Sequence, residues 1–136
     1  MSARGYIFLS LKPAKRRDAS TEVMMKHRFY EKDGIVIVEF EGKIMGEPTD
    51  SSIVKKVYEY ADQNKVNFIF DFTKVEWMNS RGLGLCISGA TTLRNRDGDL
   101  KLACTSGKVL DLLNKTKMFL VFECYETVDM AMAAFK

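Results

Sequence analysis

A continuous apolar run at residues 65–75, KVNFIFDFTKV, constrains the fold more than any other part of this sequence. Its apolar residues lack the polar alternation of a strand with one face in water, and the run falls far short of a membrane-spanning helix. A strand that is covered on both faces is typical of a sheet with helices packed against it. The run therefore predicts an α/β domain.

A segment with helical spacing precedes this strand. In SSIVKKVYEYADQN, Ile53 and Val57 recur on one face together with further apolar residues, while charged side chains occupy the other face. This pattern predicts an amphipathic helix that begins between Thr49 and Ser52.

A second helix is predicted to begin at the junction WMNSRGLGLC, which follows the strand. Its predicted buried face has the i, i+3, i+4, i+7 spacing and consists of Leu83, Cys86, Ile87, Ala90 and Leu93. The side chains assigned to its other side are Ser88, Thr91, Thr92, Asn95 and Arg96. The helix also contains glycines at positions 82, 84 and 89, which are poor helix formers. Close approach of the helix to the sheet, or of another molecule to the helix start, would explain them.

The remaining segments complete an alternation of strands and helices. Asp33-Gly34 between β-forming runs predicts a hairpin over residues 26–44. Four segments follow the second helix: LKLACT as a strand, GKVLDLLNKT as a helix, MFLVFE as a strand or extended segment, and TVDMAMAAF as a helix capped by Thr127. The order predicts an α/β fold with a mixed, mostly parallel sheet of about five strands and about four helices.

The composition indicates one domain without a metal site. The 136 residues are 46% hydrophobic, which is enough for a single core. Cys86, Cys104 and Cys124 form no C-x-x-C pair and His27 is the only histidine, so we predict no metal and no cofactor. An odd number of cysteines inside apolar runs predicts buried, reduced thiols. Together with the short apolar runs, this favours a cytoplasmic protein.

Positive charge is concentrated at the N terminus. The first 22 residues carry the whole net charge of +3, and the rest of the chain has equal numbers of acidic and basic residues. We therefore predict a basic, solvated and disordered tail over residues 1–24 and a folded domain over residues 25–136. A domain without net charge argues against direct nucleic-acid binding, and no membrane association is predicted.

Ser80 has four conceivable roles at the second helix start. A catalytic serine on a G-x-S-x-G turn is disfavoured because Met78 replaces the first glycine and the only histidine, His27, precedes the serine. A dinucleotide-binding turn fails because Ile87 replaces its third glycine, and no P-loop motif occurs. We therefore predict no enzymatic activity. A helix cap formed by Asn79 or Ser80, and a phosphorylation site, both remain open.

The sequence from about residue 27 to 135 resembles the STAS domain, in particular the bacterial anti-sigma factor antagonists. In that family a buried strand is followed by the motif D-S-[ST]-G-L-G, which opens a helix. Ser80, Gly82, Leu83 and Gly84 match this motif, and EFEGKI is similar to the end of the family's first strand, L-x-G-x-L.

The resemblance implies a protein-binding switch. In such antagonists the serine that matches Ser80 is phosphorylated by an anti-sigma factor that is also a serine kinase. The unphosphorylated antagonist binds this kinase and frees the sigma factor, and a phosphatase of the PP2C type restores it. The residues expected to bind the partner are Asn79, Ser80, Arg81, Gly82, Leu83, Gly84, Lys43 and Met45. A weak homodimer through an exposed sheet edge is a further expectation.

The chain departs from the family pattern at three places. Asn79 replaces the usual Asp, Arg81 replaces the usual Ser or Thr, and Lys43 and Met45 stand in the loop where many antagonists carry acidic residues near the serine. Arg81 would pair with a phosphate or with an acidic partner. These changes make the site more basic and leave an alternative, a STAS scaffold or regulatory subunit that binds its partner without phosphorylation. An enzyme that uses Ser80 is the third hypothesis.

Overall fold

The elements follow one another in the predicted order in the computed structural model, which describes residues 26–44, 49–105 and 107–135. The strands are β1 (Lys26–Lys32), β2 (Ile35–Ile44), β3 (Asn67–Met78), β4 (Asp99–Ala103) and β5 (Cys124–Tyr125). The helices are α1 (Thr49–Ala61), α2 (Ser80–Arg94), α3 (Gly107–Lys115) and α4 (Val128–Ala133), with a short 3₁₀ helix at Met118–Leu120. The predicted tail over residues 1–24 and the proposed site residue Met45 lie outside the described residues.

The described strands form one mixed sheet in the order β1-β2-β3-β4-β5. β1 pairs with β2 antiparallel, and the other three neighbouring pairs are parallel. Asp33 and Gly34, with φ of 54° and 79°, form the two-residue turn between β1 and β2 that the sequence predicts. The predicted α/β fold with a mostly parallel sheet is confirmed.

The helices divide unequally between the two faces of the sheet. Residues of α1, α2 and α3 pack in the larger core against Phe68, Phe70 and Phe72 of β3. On the reverse face, Ala131 and Met132 of α4 pack with apolar residues of β2, β3 and β4. The side chains of residues 68–72 are all buried, so the strand is covered on both faces as predicted. Three successive crossovers therefore place their helices on the same side of the sheet.

Helix α2 buries four of the five predicted core residues, Leu83, Cys86, Ala90 and Leu93, but its buried face is rotated relative to the predicted one. Ile87 was expected in the core but is 43% exposed, whereas Thr92 was expected on the other side and is buried. The Thr92 hydroxyl donates a hydrogen bond to the backbone oxygen of Ser88 at 2.9 Å, which satisfies it inside the protein. At 100° per residue, the centre of the buried face lies near Gly82 and Gly89. Glycine has no side chain, so the hydrophobic pattern gives no signal at these two positions.

The segment MFLVFE is not a strand. Met118–Leu120 forms the 3₁₀ helix, and its capping residue Lys117 has a left-handed backbone with φ of 59°. Phe122 is buried, but Phe119, Leu120 and Val121 are exposed. The chain turns at this 3₁₀ helix and is in register with β4 at Cys124–Tyr125.

Candidate functional site

The start of α2 is fixed by Asn79, which connects β3 to the helix. Asn79 has extended backbone angles, φ −102° and ψ 179°, and its side-chain oxygen accepts a hydrogen bond from the backbone N–H of Gly82 at 3.0 Å. Its own backbone N–H donates to the carbonyl oxygen of Ile44 at 3.2 Å. Asn79 is therefore the N-cap residue and also connects the helix start to the end of β2.

Ser80 is the first residue of α2 and is exposed. Because the cap oxygen comes from Asn79, the capping arrangement does not use the Ser80 hydroxyl. The backbone N–H groups of a first helical turn and the helix dipole favour negative charge at this end. The Ser80 hydroxyl is thus accessible to another protein and lies where an added anion is tolerated.

Two of the three glycines in α2 are explained by contacts with the sheet. A Cβ atom on Gly82 would lie 2.6 Å from Cγ of Met78 and 2.9 Å from Cγ2 of Ile44. A Cβ atom on Gly89 would lie 3.3 Å from Cζ of Phe70. The absence of side chains here allows α2 to pack closely against β2 and β3.

Gly84 has no such explanation. A Cβ atom at this position would meet no atom of the described residues within 4 Å. Packing against the described part of the sheet therefore does not account for Gly84, and the approach of another molecule stays a prediction.

Ser80, Gly84 and Ile87 lie along one exposed stripe of α2, which we name the α2 stripe. At 100° per residue, the three positions fall within about 60° of one another around the helix axis. Ser80 supplies a hydroxyl, Gly84 supplies bare backbone, and the exposed Ile87 supplies an apolar side chain. Sequence reasoning missed Ile87 as a surface residue because its spacing also fits a buried face.

A cleft of about 390 Å³ opens beside Ser80, between the end of β3 and helix α3. The junction contributes Trp77, Met78, Asn79 and Ser80, and α3 contributes Lys108, Asp111, Leu112 and Lys115. With two lysines and one aspartate, the α3 side of the cleft has a net positive charge. Helix α3 was not among the predicted site elements, although the spacing of its four lining residues by three, four and seven positions marks one helix face.

The other predicted partner-binding residues divide into exposed and buried ones. Arg81 is exposed on the first turn of α2. Lys43 is exposed near the end of β2, in register with Trp77 of β3, so it lies at the same edge of the sheet as the junction. Leu83 is only 3% exposed and Gly82 is buried, so these two residues support the helix from within.

Neither a metal site nor a membrane span is found in the part of the chain that the structure describes. There, no group of three or more His, Cys, Asp or Glu side chains is placed to hold a metal ion. The described helices are also too short or too polar to cross a bilayer.

Comparison with known proteins gives the family. The model of the STAS domain matches residues 27–131, most of the chain. The chain belongs to the STAS domain family. The sequence resemblance is thus confirmed. A comparison of this STAS domain with curated protein sequences finds no match.

Several solved structures share the fold. An anti-sigma factor antagonist from Mycobacterium paratuberculosis is 19% identical, with a TM-score of 0.70, and the match covers 82% of this chain and 93% of that chain. For the phosphorylated form of SpoIIAA, a cell fate determinant of Bacillus, the identity is 16% and the TM-score 0.65, with coverage of 82% and 100%. SpoIIAA is described as an anti-sigma factor antagonist. At these identities the likeness establishes the fold of the STAS domain.

Proposed function

We propose that this STAS domain is an anti-sigma factor antagonist whose partner binding is controlled by phosphorylation of Ser80. The partner is an anti-sigma factor with serine kinase activity, and a phosphatase of the PP2C type reverses the modification. The observation that carries the proposal is the exposed Ser80 hydroxyl, which begins α2 without being its cap. Neither DNA binding nor a catalytic step by this chain is part of the proposal.

The α2 stripe supports a docked protein. Gly84 allows a partner backbone to approach the helix, because glycine has no side chain and none of the residues that the structure describes fills the space. Ile87, one turn further, offers apolar area that docking would remove from water. A kinase that docks along this stripe would also have the Ser80 hydroxyl within its reach.

A phosphate on Ser80 would block this docking without unfolding the domain. It adds about −1.5 to −2 charges and considerable bulk at one end of the stripe. The helix start favours the anion, and the cap formed by Asn79 stays intact. Lys108 and Lys115 in the adjacent cleft provide counter-charges, although Asp111 between them reduces the attraction. The proposed switch is therefore electrostatic and steric.

The test uses the purified full chain, ATP and the candidate anti-sigma factor. We expect one phosphate, detected by mass spectrometry, that is absent in Ser80→Ala and retained in Ser88→Ala, a matched control on the exposed side of the same helix. Phosphorylation and Ser80→Asp should each weaken binding to the anti-sigma factor. Binding that is unaffected by both changes would contradict the switch.

A STAS scaffold that binds its partner without phosphorylation is the second candidate. It is favoured by the departures beside Ser80, because Asn79 and Arg81 replace the family's usual Asp and Ser or Thr. In this case the same α2 stripe would bind the partner, but no kinase would modify Ser80. Partner binding that is lost in Ile87→Glu and unchanged in Ser80→Asp would favour the scaffold.

A further inference from the structure

The three cysteines, which lie 18 or more residues apart in the sequence, come together on the α1–α3 side of the sheet. Cys86 on α2 and Cys104 after β4 are buried in the larger core, and Cys124 of β5 packs against it. The sequence gives no sign of this convergence, because it depends on the parallel pairing of β4 with β5. The cysteines therefore form a cluster that the proposed binding function does not use.

Cys104 and Cys124 are direct neighbours in this cluster. Leu102 is in register with Cys124, and the backbone N–H of Cys104 donates a hydrogen bond to the carbonyl oxygen of Tyr125 at 2.9 Å. Cys104 lies two residues beyond Leu102 and therefore on the same face of the β4–β5 pair as Cys124. Both side chains belong to the larger core, so the two cysteines are diagonal neighbours on that face.

The two thiols differ in reactivity. The hydrogen bond from Cys104 stabilises the Cys124 thiolate and lowers the pKa of Cys124, although partial burial acts in the opposite direction. The same hydrogen bond, burial and the neighbouring cysteines raise the pKa of Cys104 well above its usual range. Because the thiolate is the nucleophile, Cys124 is the thiol that reacts first.

Cys124 is also the accessible member of the pair. It is half-buried and lines an open cavity of about 500 Å³ formed by the 3₁₀ segment and β5, whereas Cys104 is only 3% exposed. A small oxidant can therefore reach Cys124 through this cavity. Cys104 is placed behind it, as a resolving thiol must be.

We propose that Cys124 and Cys104 form a reversible, peroxide-sensitive dithiol that closes to a disulfide. The Cys124 thiolate attacks one oxygen of hydrogen peroxide, the O–O bond breaks, and Cys124 becomes a sulfenic acid while the departing hydroxide takes up a proton to form water. The Cys104 sulfur then attacks the Cys124 sulfur, the S–O bond breaks, and the hydroxide leaves with the Cys104 proton as a second water. Both sulfurs are oxidised and both peroxide oxygens are reduced.

The surrounding structure permits the movement that bond formation requires. An S–S bond is shorter than a thiol–thiol hydrogen bond, so the two strands must shift toward each other. Cys104 lies one residue beyond the end of β4, and β5 is only two residues long. The disulfide would fasten the exposed 3₁₀ segment and β5 to β4, independently of Ser80.

The test treats the purified full chain with hydrogen peroxide, blocks remaining thiols with N-ethylmaleimide, and maps the peptides by mass spectrometry. We expect an intramolecular Cys104–Cys124 cross-link that dithiothreitol reverses. Cys86→Ser is the matched control and should retain the cross-link, whereas Cys104→Ser and Cys124→Ser should lose it. In Cys104→Ser, dimedone should trap a sulfenic acid at Cys124.

Several outcomes would overturn the proposal. These are a disulfide that joins two chains, a pairing that involves Cys86, a sulfenic acid found at Cys104 first, or no cross-link at all. Peptide mapping of the unmodified chain decides between these outcomes even if a cysteine variant does not fold. In the reduced protein, N-ethylmaleimide should also label Cys124 at least about tenfold faster than the more buried Cys104.

Discussion

The position of a Cβ atom on Gly82 lies 2.6 Å from Cγ of Met78, so the first turn of α2 rests directly on the end of β3. Cγ2 of Ile44 at 2.9 Å and the Ile44 carbonyl oxygen at 3.2 Å close the remaining space. Of these three atoms, the two of Ile44 can move little, because one is backbone and the other belongs to a β-branched side chain. Gly82 is therefore enclosed by the sheet. At Gly84, two residues later, no described residue lies within 4 Å of the Cβ position.

Gly82→Ala should destabilise the domain. Overpacking of this kind costs about 1–3 kcal/mol, and the gain in helix propensity offsets about 1 kcal/mol of it. We expect a lower midpoint in urea unfolding, followed by circular dichroism. An unfolding midpoint equal to or above that of the unmodified chain would show that Met78 and Ile44 can move aside.

Gly84→Ala should have the opposite effect on stability and should impair binding. A methyl group here meets no residue within the described parts of the domain, so helix propensity should raise the free energy of unfolding by about 0.5–1 kcal/mol. The same methyl group would obstruct the docked partner of the proposed function. Calorimetric titration with the anti-sigma factor should show weaker binding, and unchanged affinity would place the partner elsewhere.

Asn79→Ala should destabilise α2 by about 1 kcal/mol, because Gly82 loses the side-chain acceptor of its backbone N–H. Asn79→Asp is the matched control. It restores an acceptor and adds a negative charge that the helix start favours, so its unfolding midpoint should equal or exceed that of the unmodified chain. An unchanged unfolding midpoint in Asn79→Ala would mean that the cap hydrogen bond contributes little to stability.

Ile87→Glu should weaken partner binding about tenfold or more and leave folding nearly unchanged. The side chain is 43% exposed, so a polar replacement loses little in the isolated domain. In a docked complex the same replacement would bury a charge opposite an apolar surface. Met130→Glu is a suitable control, because Met130 is similarly exposed but belongs to α4 on the reverse face. Equal losses in both variants would contradict a specific role for the α2 stripe.

Lys108→Ala together with Lys115→Ala should reduce the stability of the phosphorylated domain more than that of the unphosphorylated one. Both lysines line the cleft next to Ser80, and each exposed pair with a phosphate contributes on the order of 0.5 kcal/mol. Lys55→Ala on α1 is the control, since Lys55 is exposed but does not line this cleft. The measurement is urea unfolding at low salt, with and without phosphate on Ser80. Equal effects in both states would place the phosphate outside the cleft.

Features that depend on local pattern could be predicted from the sequence. The Asp33-Gly34 turn, the buried strand predicted within residues 65–75 and the Thr127 cap are all observed, because each depends on a few adjacent residues. The motif around Ser80 was sufficient to identify the STAS domain family. The choice between Asn79 and Ser80 as the cap required the backbone geometry, since both residue types serve as caps.

Features that depend on packing were not available from the sequence. Ile87 was assigned to the core because the glycines at the centre of the buried face carry no hydrophobic signal. Lys108 and Lys115 reach the site only through the packing of α3 against the end of β3. The apolar composition of MFLVFE likewise favours a strand. The structure instead has a turn at Lys117, with a left-handed backbone, followed by a 3₁₀ helix.

The separation of the capping oxygen on Asn79 from the hydroxyl on Ser80 has a genetic consequence. The side chain at position 79 contributes to the stability of α2. Under the proposed function, signalling depends on the side chain at position 80. A single nucleotide change that removes the serine would therefore leave an abundant, correctly folded protein that no kinase can silence. Under the proposed function such an allele would keep its target pathway switched on, whereas an allele that removes the neighbouring asparagine would act by destabilising the start of α2.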